Sequence, residues 1–314
     1  MKIGIIGGGL SGISFQHYLN HPSEILEKNS NIGGLCRTFE KDGFYYDIGG
    51  HILFSTNTKI MKIINDILNP NIHYCKRNNK ILFKNKYIKY PFENGLSSLD
   101  KEDIIDCLLT FIENPNKSYS NFEEWIYYTF GKGIADRYLI PYNNKIWKTK
   151  LSDMNTEWVD RIPKPPLEDI IKSAIGIETE GYVHQLNFGY PIKGGIQSLV
   201  ESFIKETSKI KTNINIKSIY LKNKKWIIST DSEQFEFDKI VNTAPLEEII
   251  PLIINVPQDI VNAVNKLKYN AVRVVMIGIN NQSLLDKSAV YIPEIFSAFI
   301  LRRRFGISLR SLTD

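Results

Sequence analysis

Lys2-Ile-Gly-Ile-Ile6, running straight into Gly7-Gly-Gly-Leu-Ser-Gly12, is the stretch on which the fold turns. The apolar run reads as a strand. Ile13, Phe15 and Leu19 then recur at helical spacing within Gly12–Asn20, and Glu24–Glu27 reads as a second strand. Strand, glycine turn, helix and strand make a βαβ unit whose right-handed crossover sets the two strands parallel and adjacent. Gly7, Gly9 and Gly12 satisfy G-x-G-x-x-G, and Glu27 lies 20 residues beyond Gly7, where a carboxylate accepts hydrogen bonds from ribose hydroxyls. Glycine is needed because a Cβ would block both the tight turn and the approach of backbone N–H groups to a diphosphate. The expectation is a dinucleotide-binding α/β domain.

Working outward, Ile32-Gly33-Gly34-Leu-Cys-Arg37 places a second glycine pair and a guanidinium directly after the ribose-binding strand. The fork of Arg37 matches phosphate geometry and stays charged. Phe44–Asp47 reads as extended, before a Gly49-Gly50-His51 turn, and residues 58–68 as an amphipathic helix. Ile72–Tyr90 alternates around turns at Asn78-Asn79 and Lys84-Asn85, which suggests short antiparallel strands. Helical periodicity follows over Asp100–Ile112, Asn121–Phe130 and Gly133–Tyr142, until Pro163, Pro165 and Pro166 end it. A strand at Val183–Phe188, a helix at Gln197–Glu206, a β-meander over 214–243 ending in the strand Lys239–Asn242, a helix at Val261–Leu267 and a strand at Val272–Gly278 complete the reading.

Bulk properties set limits on function. The 314 residues carry 39 Lys+Arg against 34 Asp+Glu, a net charge of +5 that suits a small anionic ligand and falls far short of a nucleic-acid footprint. Cys36, Cys75 and Cys107 lack metal-ligand or disulfide spacing and read as reduced cytosolic thiols, so no metal site is expected. Ile3–Gly9 is too short for a signal peptide and no run reaches the ~20 apolar residues of a membrane span, so a cytoplasmic location is expected. The five histidines are dispersed, without a Ser/His/Asp triad or a recognisable acid pair.

With Asp47-Ile-Gly-Gly-His51, the two glycine motifs resemble the GG-doublet flavoproteins, which include amine oxidases, protoporphyrinogen oxidases and UDP-galactopyranose mutases. Further along, Tyr90-Pro-Phe92, Phe122-Glu-Glu-Trp125, Gly131-Lys-Gly-Ile-Ala-Asp136, Pro141-Tyr142-Asn143, Lys145-Ile-Trp147 and Trp158-Val-Asp-Arg161 look like UDP-galactopyranose mutase, especially its eukaryotic-type branch, with the likeness ending near Glu294. The resemblance implies a Rossmann-like FAD-binding domain with an inserted helical domain and an antiparallel β-sheet substrate domain. It implies FAD as cofactor, held by Gly7, Gly9, Gly12, Glu27, Lys28, Gly33, Gly34, Arg37, Gly49, Gly50 and His51. It makes His51 the catalytic residue beside the flavin, and gives Trp147, Arg161, Tyr142 and Asn143 to a UDP-sugar, with Arg161 on its diphosphate. NAD(P)H is an expected reductant. The implied reaction interconverts UDP-galactopyranose and UDP-galactofuranose through an adduct at flavin N5, without net redox change. An FAD-dependent oxidoreductase on the same fold, or a non-catalytic remnant, are the alternatives.

The expected organisation is a cofactor domain in two parts, 1–70 and 197–250, joined by a return segment at 163–196. A β segment of the substrate domain is expected at 71–95, a helical insertion at 96–162 and a second β segment at 251–314, so that three units interleave. Relatives of this kind continue past residue 314 with a segment that covers the flavin. Of nine arginines, Arg302, Arg303, Arg304 and Arg310 crowd the last thirteen residues. The tail after about 294 is therefore expected to be aberrant, and the chain a truncated relative with poor mutase turnover.

Overall fold

A computed structural model of the chain describes residues 1–159, 162, 164–180, 186–277, 287–294 and 301–302. The chain divides into two compact units, one of residues 1–73, 189–278 and 306–314, the other of 74–188 and 279–305.

In chain order the elements begin with β1 (Ile3–Ile6), α1 (Leu10–Tyr18), β2 (Ser23–Leu26), β3 (Thr38–Lys41), β4 (Phe44–Asp47) and α2 (Thr58–Leu68). Next come β5 (Ile72–Lys76), β6 (Asn79–Phe83), β7 (Lys86–Lys89), α3 (Lys101–Ile112), α4 (Phe122–Ile134), α5 (Ile140–Trp147) and α6 (Leu167–Ala174). The remainder are β8 (Asn187–Pro191), α7 (Gln197–Ser202), β9 (Lys209–Lys211), β10 (Ser218–Lys222), β11 (Lys225–Ser229), β12 (Gln234–Phe237), β13 (Lys239–Asn242), α8 (Leu246–Ile249), α9 (Gln258–Val264), β14 (Ala289–Tyr291) and β15 (Leu301–Arg302).

The first unit is built on a parallel sheet of order β13-β1-β2-β9. All four residues of β1 are buried, as a strand covered on both faces requires. One face packs Ile3, Ile5, Ile13 and Ile25 with Leu68 of α2 and Leu199 and Val200 of α7. The other packs Ile6 and Leu26 against Ile219, Ile228, Phe235 and Phe237 of the antiparallel meander β10-β11-β12. The final strand of the expected 214–243 meander leaves it: β13 pairs parallel with β1, Ile5 opposite Val241. That placement brings the chain after Asn242 beside the glycine turn.

Several helix limits differ from expectation for local reasons. α1 begins at Leu10, not Gly12, because Gly9 is already extended at φ −74°, ψ 177° and serves as the N-cap position. α2 starts where expected, since Asn57 Oδ1 accepts the N–H groups of Lys59 and Ile60 at 3.0 and 3.4 Å. α7 stops at Ser202, four residues short, and the helix expected at Val261–Leu267 is α9, ending at Val264. Residues 271–277 form no strand: Val272, Val275 and Ile277 are exposed, and β-branched residues without a neighbouring strand have nothing to pair with.

The second unit joins an antiparallel β6–β7 hairpin to a helical core. Its turn is the expected one, with Lys84 and Asn85 both at positive φ, as a two-residue hairpin with right-handed twist demands. β14 lies parallel to β6, and β15 pairs with β14 through Leu301 and Val290, so the chain past Glu294 returns to this sheet. Arg77 donates its N–H to Leu186 O rather than to a strand across the expected Asn78-Asn79 turn. Phe92, Trp125, Phe130, Ile134 and Tyr138 centre the core.

α4 runs past the expected Phe130 to Ile134, bending at Gly131, where φ is +70°. A Cβ there would meet Thr110 O at 2.4 Å, and one on Gly133 would meet Cys107 Cα at 2.7 Å. The glycines of Gly131-Lys-Gly133 thus serve close packing of α3 on α4. Of the three prolines expected to end the helical region, Pro163 lies outside the described residues, and Pro165 and Pro166 do not end it. Pro166 occupies the position before the first turn of α6, where a missing N–H costs nothing, and Ile170, Ser173 and Ala174 bury in the same core. In the division into two compact units the chain re-enters the first unit at Gly189, and residues 251–278 fall in that unit. Residues 183–185 of the expected Val183–Phe188 strand lie outside those described; β8 begins at Asn187.

Candidate cofactor and substrate sites

The two glycine motifs meet face to face in the first unit. Gly9 and Gly33 form a parallel bridge, and Gly33 N–H donates to Gly8 O at 2.8 Å. A Cβ on Gly34 would lie 3.2 Å from Gly9 Cα, so the backbones approach as closely as glycine permits. A Cβ on Gly12 would fall 2.1 Å from Gly7 O, which makes that position glycine by sterics alone. On Gly9, by contrast, a Cβ would meet only Gly34 Cα, at 3.8 Å. The cradle in front of Gly9 is therefore open, with the start of α1 aimed at it, the arrangement that receives a diphosphate.

Glu27 is buried just past the end of β2. Its Oε2 accepts the Gly8 N–H at 2.7 Å, and its Oε1 accepts Asn29 N–H and Nδ2 at 2.8 and 2.7 Å. The carboxylate is thus fixed to the glycine loop before any ribose arrives. Lys28 points to Glu248 Oε2 at 2.7 Å in an exposed pair. Arg37 donates from Nε to Gly34 O at 3.0 Å, which holds its guanidinium at the second glycine pair. Thr243 was not anticipated. Its Oγ1 donates toward Ile6 O and Gly7 O at 2.9 and 3.1 Å, bracing the loop from the end of β13. The signal lay in Asn-Thr-Ala-Pro following an apolar strand, legible only once that strand is known to lie beside β1.

Removing the Glu27 acceptor should act twice. Gly8 is buried, so Glu27→Ala leaves its N–H unsatisfied and lowers apoprotein stability by about 1–3 kcal/mol. It should also weaken FAD binding about tenfold, the size of one lost charge-assisted hydrogen bond. Glu27→Gln keeps an acceptor and restores most of the stability. Urea denaturation with FAD titration checks both, and unchanged values in the alanine variant would remove Glu27 from the site.

In the second unit α5 gathers three of the four expected substrate residues. Trp147 is 38% exposed, donates from Nε1 to Asn143 Oδ1 at 3.1 Å and leans on Trp158 with centroids 5.6 Å apart. Asn143 donates to Leu139 O at 2.8 Å, one turn back. Tyr142 stacks on Tyr138 at 5.1 Å and meets Tyr291 edge-on at 5.6 Å. Arg161 lies outside the described residues. Gly49, Gly50 and His51 follow β4 in the first unit, with Gly49 at φ +82°.

Glu93 escaped the sequence reading. It is 4% exposed in the core of the second unit, and burial pushes its carboxyl up to about 7, against a smaller downward pull from its own backbone N–H. Burial likewise drives the nearby phenols of Tyr90 and Tyr138 well above their usual range.

A parallel sheet carrying a glycine cradle, a helix N-terminus and a fixed ribose acceptor defines a dinucleotide-binding protein. The chain belongs to the flavin-containing amine oxidoreductase family, whose model matches residues 17–302. Its cofactor is FAD, and the open cradle and Glu27 fit that group. The family match runs eight residues past Glu294.

Over 56 residues the chain is 39% identical to 4,4'-diapophytoene desaturase (4,4'-diaponeurosporene-forming) of Staphylococcus aureus strain COL, covering 17% of this chain and 11% of that protein. With the strain MRSA252 desaturase the identity is 27% over 108 residues, 33% of this chain and 19% of the relative. The fold is similar to the crystal structure of reduced UDP-galactopyranose mutase, with TM-score 0.81, 24% identity and coverage of 95% of this chain and 69% of the other. It is similar too to a putative protoporphyrinogen oxidase from Exiguobacterium sp. 255-15, with TM-score 0.62, 15% identity and coverage of 84% and 63%. No helix among the described residues is long and apolar enough to cross a membrane.

Proposed function

We propose that the chain is an FAD-dependent, mutase-like flavoenzyme that interconverts UDP-galactopyranose and UDP-galactofuranose. The observation that carries this reading is the α5 constellation, in which Tyr142, Asn143 and Trp147 come together on one helix with an aromatic stack and an exposed indole. A flat, partly exposed indole packs on a sugar or a base, and an amide hydrogen-bonded to that indole fixes its tilt. Arg161 supplies the bidentate charge for the diphosphate. In the first unit the glycine cradle, Glu27 and Arg37 hold the cofactor, and His51 presents an imidazole to it. When bound and reduced, FAD supplies the nucleophile, with NAD(P)H as the physiological reductant. The chain's residues are left to orient the anomeric carbon, neutralise the departing diphosphate and exclude water.

Protein loaded with FAD, reduced with dithionite and given UDP-galactofuranose should release UDP-galactopyranose, separable by chromatography. Calorimetry with UDP tests the substrate residues separately: Trp147→Ala should weaken UDP binding about tenfold, as loss of a packed aromatic anchor does. Binding of NADPH without any binding of UDP, together with flavin reduction by an amine, a porphyrinogen or a polyene, would make the chain an oxidoreductase instead.

A further inference from the structure

Asp47 ends β4 and is 8% exposed, yet its carboxylate is crowded with donors from distant parts of the first unit. Oδ1 accepts Thr38 Oγ1 at 2.6 Å and Ile196 N–H at 3.3 Å, while Oδ2 accepts the hydroxyl of Tyr190. Thr38 is locked in turn: Gln197 N–H donates to its Oγ1 at 3.1 Å, and its own N–H donates to Gln197 Oε1 at 3.0 Å. Six residues later Leu53 exchanges two backbone hydrogen bonds with Gly189, at 2.9 and 2.8 Å. Gly189 and Tyr190 are consecutive residues of β8. The loop 48–52, which contains Gly49, Gly50 and His51, is therefore tied at both ends to one dipeptide. The backbone of Gly189 takes one end and the side chain of Tyr190 the other.

We propose that Asp47 and Tyr190 form a latch that sets the His51 turn, making both of them positioning residues for the flavin. A short loop with both ends fixed has little conformational freedom left to lose. The anchoring bonds are charge-assisted and buried, hence strong and costly to break. Ile48 N–H adds a bond to Arg37 O at 3.3 Å, so the same latch keeps the His51 turn in register with the second glycine motif. The inference rests on the reading in which His51 faces the flavin.

Tyr190→Phe removes one hydroxyl from a residue 6% exposed and preserves its ring packing. In the FAD-free protein, hydrogen exchange at the amides of 49–51 should quicken about tenfold, the factor expected for one strong buried bond, with β1 and α2 unchanged. In the FAD-loaded protein, affinity should hold within about threefold, since the glycine cradle is untouched. The flavin midpoint potential should move in the same direction as in His51→Ala, and the double variant should move no further than His51→Ala alone. Should Tyr190→Phe prove unstable, Thr38→Val loosens Asp47 from its other side and carries the same test. Unchanged exchange overturns the latch and leaves the flavin reading standing. A His51→Ala potential equal to that of the unaltered protein overturns that reading, and the latch's role with it.

Discussion

Valine at position 9 should weaken FAD binding by at least about a hundredfold while leaving the apoprotein's fold intact. Gly9 has an ordinary extended backbone, φ −74° and ψ 177°, which a β-branched residue adopts without strain. The first carbon of the new side chain would touch only Gly34 Cα, at 3.8 Å, so nothing in the protein must move. What fills is the cradle. Its two methyl groups would occupy the space where the diphosphate meets the N–H groups opening α1, and loss of two charge-assisted bonds there amounts to at least ~3 kcal/mol, about a hundredfold in affinity. Gly12→Ala makes the contrast, because its Cβ would collide with Gly7 O at 2.1 Å and Thr243 Oγ1 at 2.9 Å, both tightly held. That variant should lose thermal stability even without cofactor. Flavin fluorescence titration and apoprotein melting curves separate the two, and near-normal FAD affinity in Gly9→Val would mean that this turn does not hold the diphosphate.

The difference between these two glycines also marks how far sequence can be read. G-x-G-x-x-G followed by Glu27 is a record of backbone requirements, and backbone requirements survive translation into one dimension. That is why β1, α1, β2 and the two glycine motifs were legible. Thr243 was not, because its role depends on β13 leaving the meander to lie beside β1, a long-range pairing without a local signature. The prolines at 165 and 166 misled for the opposite reason: their local meaning is strong, but Pro166 precedes a helix as readily as it ends one. Residues 272–277 carry high strand propensity but pair with no strand among the described residues, and propensity alone does not make a strand. The proposed substrate residues 142, 143 and 147 rest on likeness, whereas the buried state of Glu93 is a property of packing that Tyr90-Pro-Phe92 gives no hint of.

Glu93 leads to the second large effect. A carboxyl titrating near 7 in the folded protein, against 4.5 when exposed in the unfolded chain, binds its proton more tightly when folded. Stability from this group is therefore fullest below pH 4.5, falls as pH rises from 4.5 to 7, and is flat above. The charge forced into the core at pH 8 costs about 3 kcal/mol, the product of that pKa difference and ~1.4 kcal/mol per unit. The neighbouring phenols offer no compensating charge, since burial keeps Tyr90 and Tyr138 protonated and neutral throughout this range. Arg77 stacks its guanidinium over the Tyr90 ring at 5.2 Å. Glu93→Gln keeps the shape and removes the titration, so the variant should be more stable than the parent by about 3 kcal/mol at pH 8 and equal to it at pH 4. Urea unfolding of both proteins at several pH values measures the difference directly and cancels every other titrating group. Parallel curves, with no pH-dependent gap between pH 4.5 and 7, would mean that the Glu93 carboxylate reaches water or a counter-charge and is not held neutral by the core.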